Sequence, residues 1–282
     1  MLRGERCLRW AAASLVVLTG YGVSNRARAA DLNGFLREKG HGDVAISYTA
    51  QSYDHFWAGT TRVADPMVGK VTTDSTTLWF DYGVTDRFTV IANLPYIDTR
   101  SDGAAGFGQG ALQDITLLGK YRLASFGSGV RSTVVGAVGL RTIASNYEIQ
   151  NSVVDIGDGT ADWLARLVYQ IEAGRVYVSQ QIGFDRRGGD APDGIPLHTE
   201  IGATWGPVTV NGFYSRLDAR GGTDIGSGAP FPSNKEEYER AGGKVYARVS
   251  DVIGLSAMFF TTLSGRNTGD ATGYAGGINL RF

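Results

Sequence analysis

The sequence predicts an all-β chain: a transmembrane antiparallel up-and-down β-barrel of about twelve strands, with short turns at one end and long loops at the other. Three observations point there. From Asp43 to the C-terminus, segments of about ten residues alternate apolar and polar side chains, the period and length of a tilted membrane-spanning strand. Their connections are short and long in strict alternation. One face of the segments is free of mid-strand charge, while the other carries many charges.

The N-terminus has the form of a processing signal. "MLRGERCLRW" is basic through Arg3, Arg6 and Arg9, and "AAASLVVLTGYGV" is apolar but too short to span a bilayer. "NRARAAD" then supplies the small-x-small pattern Ala27-Arg28-Ala29, which predicts cleavage near Ala29/Ala30. Residues 1–29 are therefore expected to be a signal peptide. Residues 30–42, "ADLNGFLREKGHG", are expected in the periplasm, either entering the barrel as a small plug or hanging free. Residues 43–282 are the barrel. The single cysteine, Cys7, falls in the removed part, so neither a disulfide nor a thiolate metal site is expected. Removal of residues 1–29 takes five arginines and one glutamate with it, leaving a net charge of −5, which argues against a nucleic-acid partner. After the signal, no apolar run is long enough for a transmembrane helix.

The strands follow in order, each defined by its apolar face. "DVAISYTAQS" presents Val44, Ile46, Tyr48 and Ala50. "TLWFDYGV" presents Leu78, Phe80 and Tyr82, and "RFTVIANLPY" presents Phe88, Val90, Leu94 and Tyr96. "DITLLGKYRL" presents Ile115, Leu117 and Tyr121, and "VRSTVVGAVGL" presents Val134, Val138 and Leu140. "ADWLARLVYQIEA" presents Trp163, Leu167, Tyr169 and Ile171. "RVYVSQQIGF" presents Val176, Val178, Ile182 and Phe184, with Gln180 as the most polar outward residue. "LHTEIGATW" and "PVTVNGFYS" present Leu197, Ile201, Trp205, Val208, Val210 and Tyr214. "RAGGKVYARV" and "IGLSAMFFTTL" present Val245, Val249, Ile253, Leu255, Phe259 and Leu263. The last, "TGYAGGINLRF", presents Tyr274, Ile278, Leu280 and the terminal Phe282.

The short turns are Thr85–Arg87, Ala124–Gly129, Gly174–Arg175, Gly206–Pro207 and Ser250–Asp251. The long loops are Tyr53–Asp74, Asp98–Leu112, Thr142–Thr160, Arg186–Pro196, Asp218–Glu239 and Ser264–Ala271. This asymmetry predicts periplasmic turns, extracellular loops and both termini in the periplasm of a Gram-negative cell. A soluble sandwich would also have one polar face, but has no reason to alternate its connections. Aromatic residues near both strand ends predict interface girdles, and Phe282 is expected to sit in the periplasmic one. An alternating C-terminal strand ending in Phe282 is similar to the signature read by the barrel-assembly machinery. The expected partners are thus outer-membrane lipid, that machinery and a small-molecule solute, and the expected state is a monomer.

Two stretches carry a family resemblance. "YGVTDRFTVIANLPY" (Tyr82–Tyr96) resembles the strand–turn–strand core, and "GFGQGALQDITLLGKYRL" (Gly106–Leu123) the next hairpin arm, of the outer-membrane transporters of the MetA pathway of phenol degradation. "DVAISYTAQSYDHFWAGTTRV" and "VGKVTTDSTTLWFDYG" fit the first hairpin of that family. The resemblance is clearest over Asp43–Leu123. It departs at Gly110-Ala111-Leu112-Gln113-Asp114, where the family often has Gly-Leu-Gly-Asp. The resemblance implies a β-barrel and passage of small, including aromatic, compounds.

Gly106-Phe107-Gly108-Gln109-Gly110 lacks the Lys-Ser/Thr of a phosphate loop and precedes a strand, so it is a loop. Asp155, Asp158 and Asp162 match no EF-hand spacing, so no metal is assigned. The histidines are His41, His55 and His198; "LHTEIG" places His198 and Glu200 on the lumen face, with no serine at a fitting position in that stretch. No catalytic residue and no cofactor is therefore expected. The strongest constellation is the inward charge: Asp81, Asp114, Lys120, Arg122, Arg131, Arg141, Arg166, Glu172, His198, Glu200, Lys244 and Arg248, either a salt-bridged filling or a pore lining. Trp79, Ile91, Phe213, Met258 and Phe260 point inward by phase and form a candidate apolar strip for a greasy solute. Tyr53, Phe56 and Trp57 are placed at the outer mouth, either as members of the aromatic girdle or to bind an aromatic ring. The expected function is a channel for passive passage of small molecules, hydrophobic or aromatic ones among them. The alternative is a closed barrel whose loops bind at the cell surface.

Overall fold

The computed structural model describes residues 31–282 apart from 107, 150–154 and 226–230. The signal-peptide reading and its cleavage site lie outside the described residues, as does Ala30.

Fifteen strands form in chain order: β1 (Gly42–Tyr53), β2 (Phe56–Ala58), β3 (Thr61–Val63), β4 (Val71–Thr85), β5 (Phe88–Ser101), β6 (Gly108–Leu112), β7 (Asp114–Phe126), β8 (Val130–Ile143), β9 (Asp162–Ala173), β10 (Val176–Arg186), β11 (Asp193–Trp205), β12 (Val208–Arg220), β13 (Glu237–Arg248), β14 (Ile253–Arg266) and β15 (Thr272–Arg281). Twelve of them make a closed antiparallel barrel. Each pairs with its sequence neighbours, and β1 pairs with β15, which closes the ring. The described residues contain no helix. Closure leaves the twelve-strand ring without a free edge.

Period two places the residues as the sequence predicts. On β9, Leu167 is 49% exposed and its neighbour Arg166 is 4% exposed. On β1, Ile46 and Tyr48 face out while Ala45, Ser47 and Thr49 are buried inside. Gln180 lies on the outer face, where its side-chain oxygen accepts from Thr199 Oγ1 at 2.6 Å, so the polar group is satisfied within the wall.

Three details differ from the sequence reading. Several strands run beyond their predicted ends, because ladder pairing continues past the apolar band: β4 begins at Val71 and β12 reaches Arg220. The Asp98–Leu112 loop contains β6, which pairs with β5 above β7. The break between β6 and β7 is at Gln113, whose buried amide donates to Ile156 O in the loop after β8. That is where the sequence departs from the resembled family. Finally, Tyr53 and Phe56 are buried rather than presented to the lipid interface or to a ligand. With Val68, Val71 and Ala271 they form a buried cluster beneath the β2–β3 hairpin, and Trp57 is buried beside them.

The last residue closes the ring at the short-turn end. Phe282 and Gly42 exchange backbone hydrogen bonds of 2.9 and 3.0 Å, and the Phe282 ring stacks between Phe80 (6.4 Å) and Tyr82 (6.3 Å).

Candidate functional site in the barrel interior

The segment from Asp31 to His41 has no regular secondary structure and threads the barrel interior. Its composition explains where it settles. Leu32 and Leu36 join Ala45, Trp79, Ile91, Leu118, Val135, Ala137, Leu164 and Val168 in one apolar cluster against β1, β4, β5 and β7–β9. The wall supplies acceptors for its backbone. Leu32 N donates to Gln181 Oε1 and Gly34 N to Gln170 Oε1, both at 2.7 Å, and Arg37 N donates to Thr89 Oγ1 at 3.1 Å. Lys120 Nζ donates to Phe35 O at 2.5 Å, and the Phe35 ring meets Tyr177 edge-on at 5.0 Å. These bonds satisfy backbone groups that a buried loop would otherwise leave orphaned.

Two glycines permit the close approach. A Cβ at Gly34 would lie 2.5 Å from Gln170 Cβ, and one at Gly83 would lie 2.1 Å from Glu38 O. Gly83 then bonds Gly40 and His41 as the segment turns into β1.

Arg37 anchors the segment. Its Nε donates to Asp81 Oδ1 at 2.6 Å, and its terminal nitrogen bonds Asp43, with all three side chains buried. Arg281 Nε approaches Asp43 from the other side at 3.8 Å. Between Arg37 and the β7–β9 wall lies a cavity of about 560 Å³ near the short turns, bordered by Gly34, Glu38, Arg122, Arg131 and Glu172.

The predicted inward charges resolve into specific partners. Arg141 Nε bonds Asp162 at 3.0 Å, deep in the wall. Arg166 bonds Asp185 on β10. Register explains this: Arg166 sits opposite Gly183, one step from Asp185 on the same inner face. Asp114 accepts from Tyr147 Oη at 2.8 Å. Arg131 pairs with Glu172 at 2.8 Å, but at the exposed rim rather than within the lumen. Arg122 and Arg248 are half-buried near the same end.

His198 is the case where register matters most. Its Nδ1 lies 2.7 Å from Ser215 Oγ on β12, directly across the ladder, and its Nε2 lies 3.8 Å from Glu200 Oε2. The serine that the sequence stretch lacks is thus supplied by the neighbouring strand. Asp31 of the threaded segment approaches His198 at 3.4 Å. Glu200 is committed to Tyr177 Oη at 2.5 Å and to Lys244 at 3.6 Å. The cluster is a hydrogen-bond network tying the segment to the wall.

The candidate apolar strip divides in two. Trp79 and Ile91 are covered by Leu32 and Leu36. Phe213, Met258 and Phe260 lie on β12 and β14, on the other side. There, Lys244 Nζ sits over the Phe213 ring at 5.1 Å, and the Arg240 guanidinium over Phe260 at 4.9 Å and Tyr238 at 4.8 Å. Sequence reasoning missed Arg37, Asp43, Asp185, Ser215 and Arg240. For Asp43, Asp185, Ser215 and Arg240 the signal was available, since all four keep the inward phase of their strands; Arg37 needed the placement of the segment.

At the long-loop end, Asn267 joins three loops. Its side-chain oxygen accepts from Gly59 N (2.8 Å) and Ile225 N (3.0 Å), and its amide donates to Lys235 O (2.7 Å). Beside it, Arg266 forms a two-point pair with Asp224 (2.7 and 2.8 Å) and holds that carboxyl down at about 2. Among the described residues no three His, Cys, Asp or Glu side chains cluster as a metal site.

The chain is similar to the COG4313 outer membrane channel from Pseudomonas putida F1, with a TM-score of 0.73 and 14% identity over 87% of this chain and 97% of that one. It is also similar to the NanC porin, with a TM-score of 0.51 and 7% identity over 85% of this chain and 98% of that one. No protein-family model matches the chain, and no curated protein sequence matches it. At these identities the likeness establishes the fold, that of an outer-membrane barrel; it does not bear on the phenol-degradation family.

Proposed function

We propose that the protein is an outer-membrane channel for passive passage of small molecules, hydrophobic or aromatic ones among them. The observation that carries this reading is the pairing of a closed twelve-strand wall with an interior of charged, hydroxyl and amide groups and an outward apolar face. Eight strands enclose only their own side chains and sixteen leave an aqueous pore, so twelve suit a narrow lumen. The Asp31–His41 segment occupies the β1–β9 side of that lumen and sets its constriction. The chain enters the membrane as a monomer, through assembly machinery that reads the strand ending at Phe282.

A second reading, a closed barrel whose long loops bind at the surface, draws support from the buried ion pairs and the loop junction at Asn267. Planar-bilayer recording separates the two. The channel reading expects discrete conductance steps from the purified barrel, and larger steps when residues 31–38 are deleted. Folded barrels that carry no current in either form would overturn it in favour of the closed barrel.

A further inference from the structure

The outer wall of the barrel is not evenly filled. Across β7, β8 and β9 the ladder sets Gly119 beside Val138 and Ala165 in one outward row. In the next row, about 7 Å along the strands, Gly136 stands between Tyr121 and Leu167. Small residues thus step diagonally across three strands, with large ones on either side. A local irregularity makes the lower bank. β7 shifts register between Arg122 and Ala124, and Leu123 lies outward against Gly136, 57% exposed. Phe88, opposite Tyr121 on β5, lies against Gly119. The result is an apolar depression of about 670 Å³ in the lipid-facing wall, bounded on the far side by Ile182 and Phe184 of β10.

The shape alone does not say what fills it. The polar groups at its short-turn end do. Phe88 and Tyr121 both line the depression, and Arg87 immediately precedes Phe88 at the β4–β5 turn. The Arg87 carbonyl accepts from Arg122 N at 2.9 Å, which fixes the turn beside Tyr121. The Arg87 side chain is exposed, and neither its guanidinium nor the Tyr121 hydroxyl has a hydrogen bond or ion pair among the described residues. Asp86, the carboxylate next to Arg87, instead accepts from Lys39 N of the threaded segment at 3.0 Å. Arg175, at the β9–β10 turn, is a second exposed cation at the same end. A hydrocarbon-lined trough therefore runs down to an unspent guanidinium and phenol at the level of the aromatic girdle.

We propose that this depression is a docking site for one phospholipid of the leaflet that meets the short turns. An acyl chain lies over Gly119 and Gly136, and the phosphate takes the Arg87 guanidinium and the Tyr121 hydroxyl. A lipid is the occupant because the depression opens on the face that Val138, Leu167 and Ile182 present to hydrocarbon. A phosphate is the head group because a guanidinium binds its oxygens at two points, and basic sites at a membrane surface attract anionic head groups. The inference requires the membrane barrel but no transport, so loss of the channel reading does not touch it.

The test is native mass spectrometry of the full barrel in detergent, with dipalmitoyl phosphatidylglycerol and dipalmitoylglycerol, which share their chains and differ in the phosphate. One phosphatidylglycerol is expected to stay bound, about tenfold more tightly than the diacylglycerol. Arg87→Gln is expected to weaken it about fivefold, the effect of one arginine at a membrane surface. Gly136→Leu fills the trough and is expected to weaken it by about fivefold or more. A Cβ there meets only the flexible end of Leu123, at 3.3 Å, so the wall accommodates it. Each variant is checked for heat-modifiable migration, and Arg87→Gln, in an exposed turn, carries the test if Gly136→Leu does not fold. Equal retention of the two lipids, or unchanged retention in folded variants, would mean ordinary boundary lipid and overturn the inference. A wild-type dimer that Gly136→Leu dissolves would give the depression to a second copy and overturn it as well.

Discussion

Arg37 Nε lies 2.6 Å from Asp81 Oδ1, and through this contact the segment before the barrel is tied to a wall strand 44 residues away. The same guanidinium also bonds Asp43, so one cation answers two buried carboxylates. Arg281 approaches Asp43 at 3.8 Å, and Lys120 lies within electrostatic reach of Asp81. The position of the segment therefore depends on a charge balance rather than on a fold of its own.

Arg37→Ala should release the segment and leave Asp43 and Asp81 uncompensated. Breaking one side of a buried pair costs about 3–5 kcal/mol. The expected result is a lower unfolding midpoint in detergent together with larger single-channel conductance. Replacing Asp81 by Asn in the Arg37→Ala background should recover part of the stability. A variant with wild-type stability and conductance would show that Arg37 does not hold the segment.

Leu167 and Arg166 are chain neighbours in opposite media. Lysine at Leu167 would meet hydrocarbon and should cost about 2–4 kcal/mol near the midplane. Lysine at Arg166 keeps a cation beside Asp185, so folding should survive. Alanine at Arg166 strands Asp185 and should destabilise the barrel by about 3–5 kcal/mol. Urea titration in detergent or lipid orders the three, and equal tolerance of lysine at both sites would refute the assignment of faces.

Removing Phe282 takes away the ring between Phe80 and Tyr82 and a backbone pair with Gly42. The amount of heat-modifiable barrel recovered from outer membranes should fall. An unchanged yield would count against both its packing role and its proposed role as an assembly signal.

Asp224 sits in a loop, and its carboxyl is held at about 2, below the ordinary 3.8, first by the hydrogen bonds from Arg266. A depressed carboxylate stabilises the folded state above its unfolded value. The contact should thus be complete above about pH 4 and weaken as pH falls through about 2. Hydrogen exchange of residues 223–225, corrected for its intrinsic pH dependence, should rise only in that window. Asp224→Asn should abolish the rise.

The sequence by itself determined the barrel and the two faces of each strand. Period two fixes which side chains share a face, and a chain of such segments with alternating connections has few other ways to satisfy its backbone in lipid. Lys120, Arg141, Arg166, His198, Glu200 and Lys244 are inward by phase alone, and they are inward in the structure. The tertiary structure decided who meets whom beyond a single hairpin. Ser215 faces His198, and Arg166 lies one step from Asp185, through the registers of the β11–β12 and β9–β10 hairpins, which their two-residue turns fix locally; the pairing of Lys244 on β13 with Glu200 on β11 comes from the side-by-side packing of strands in the closed barrel. The path of Asp31–His41 was likewise left open between plug and free tail. A segment without periodicity goes where its two leucines and one arginine find an apolar wall and two carboxylates, and those partners exist together only after Trp79, Ile91, Asp43 and Asp81 have been brought to the same interior.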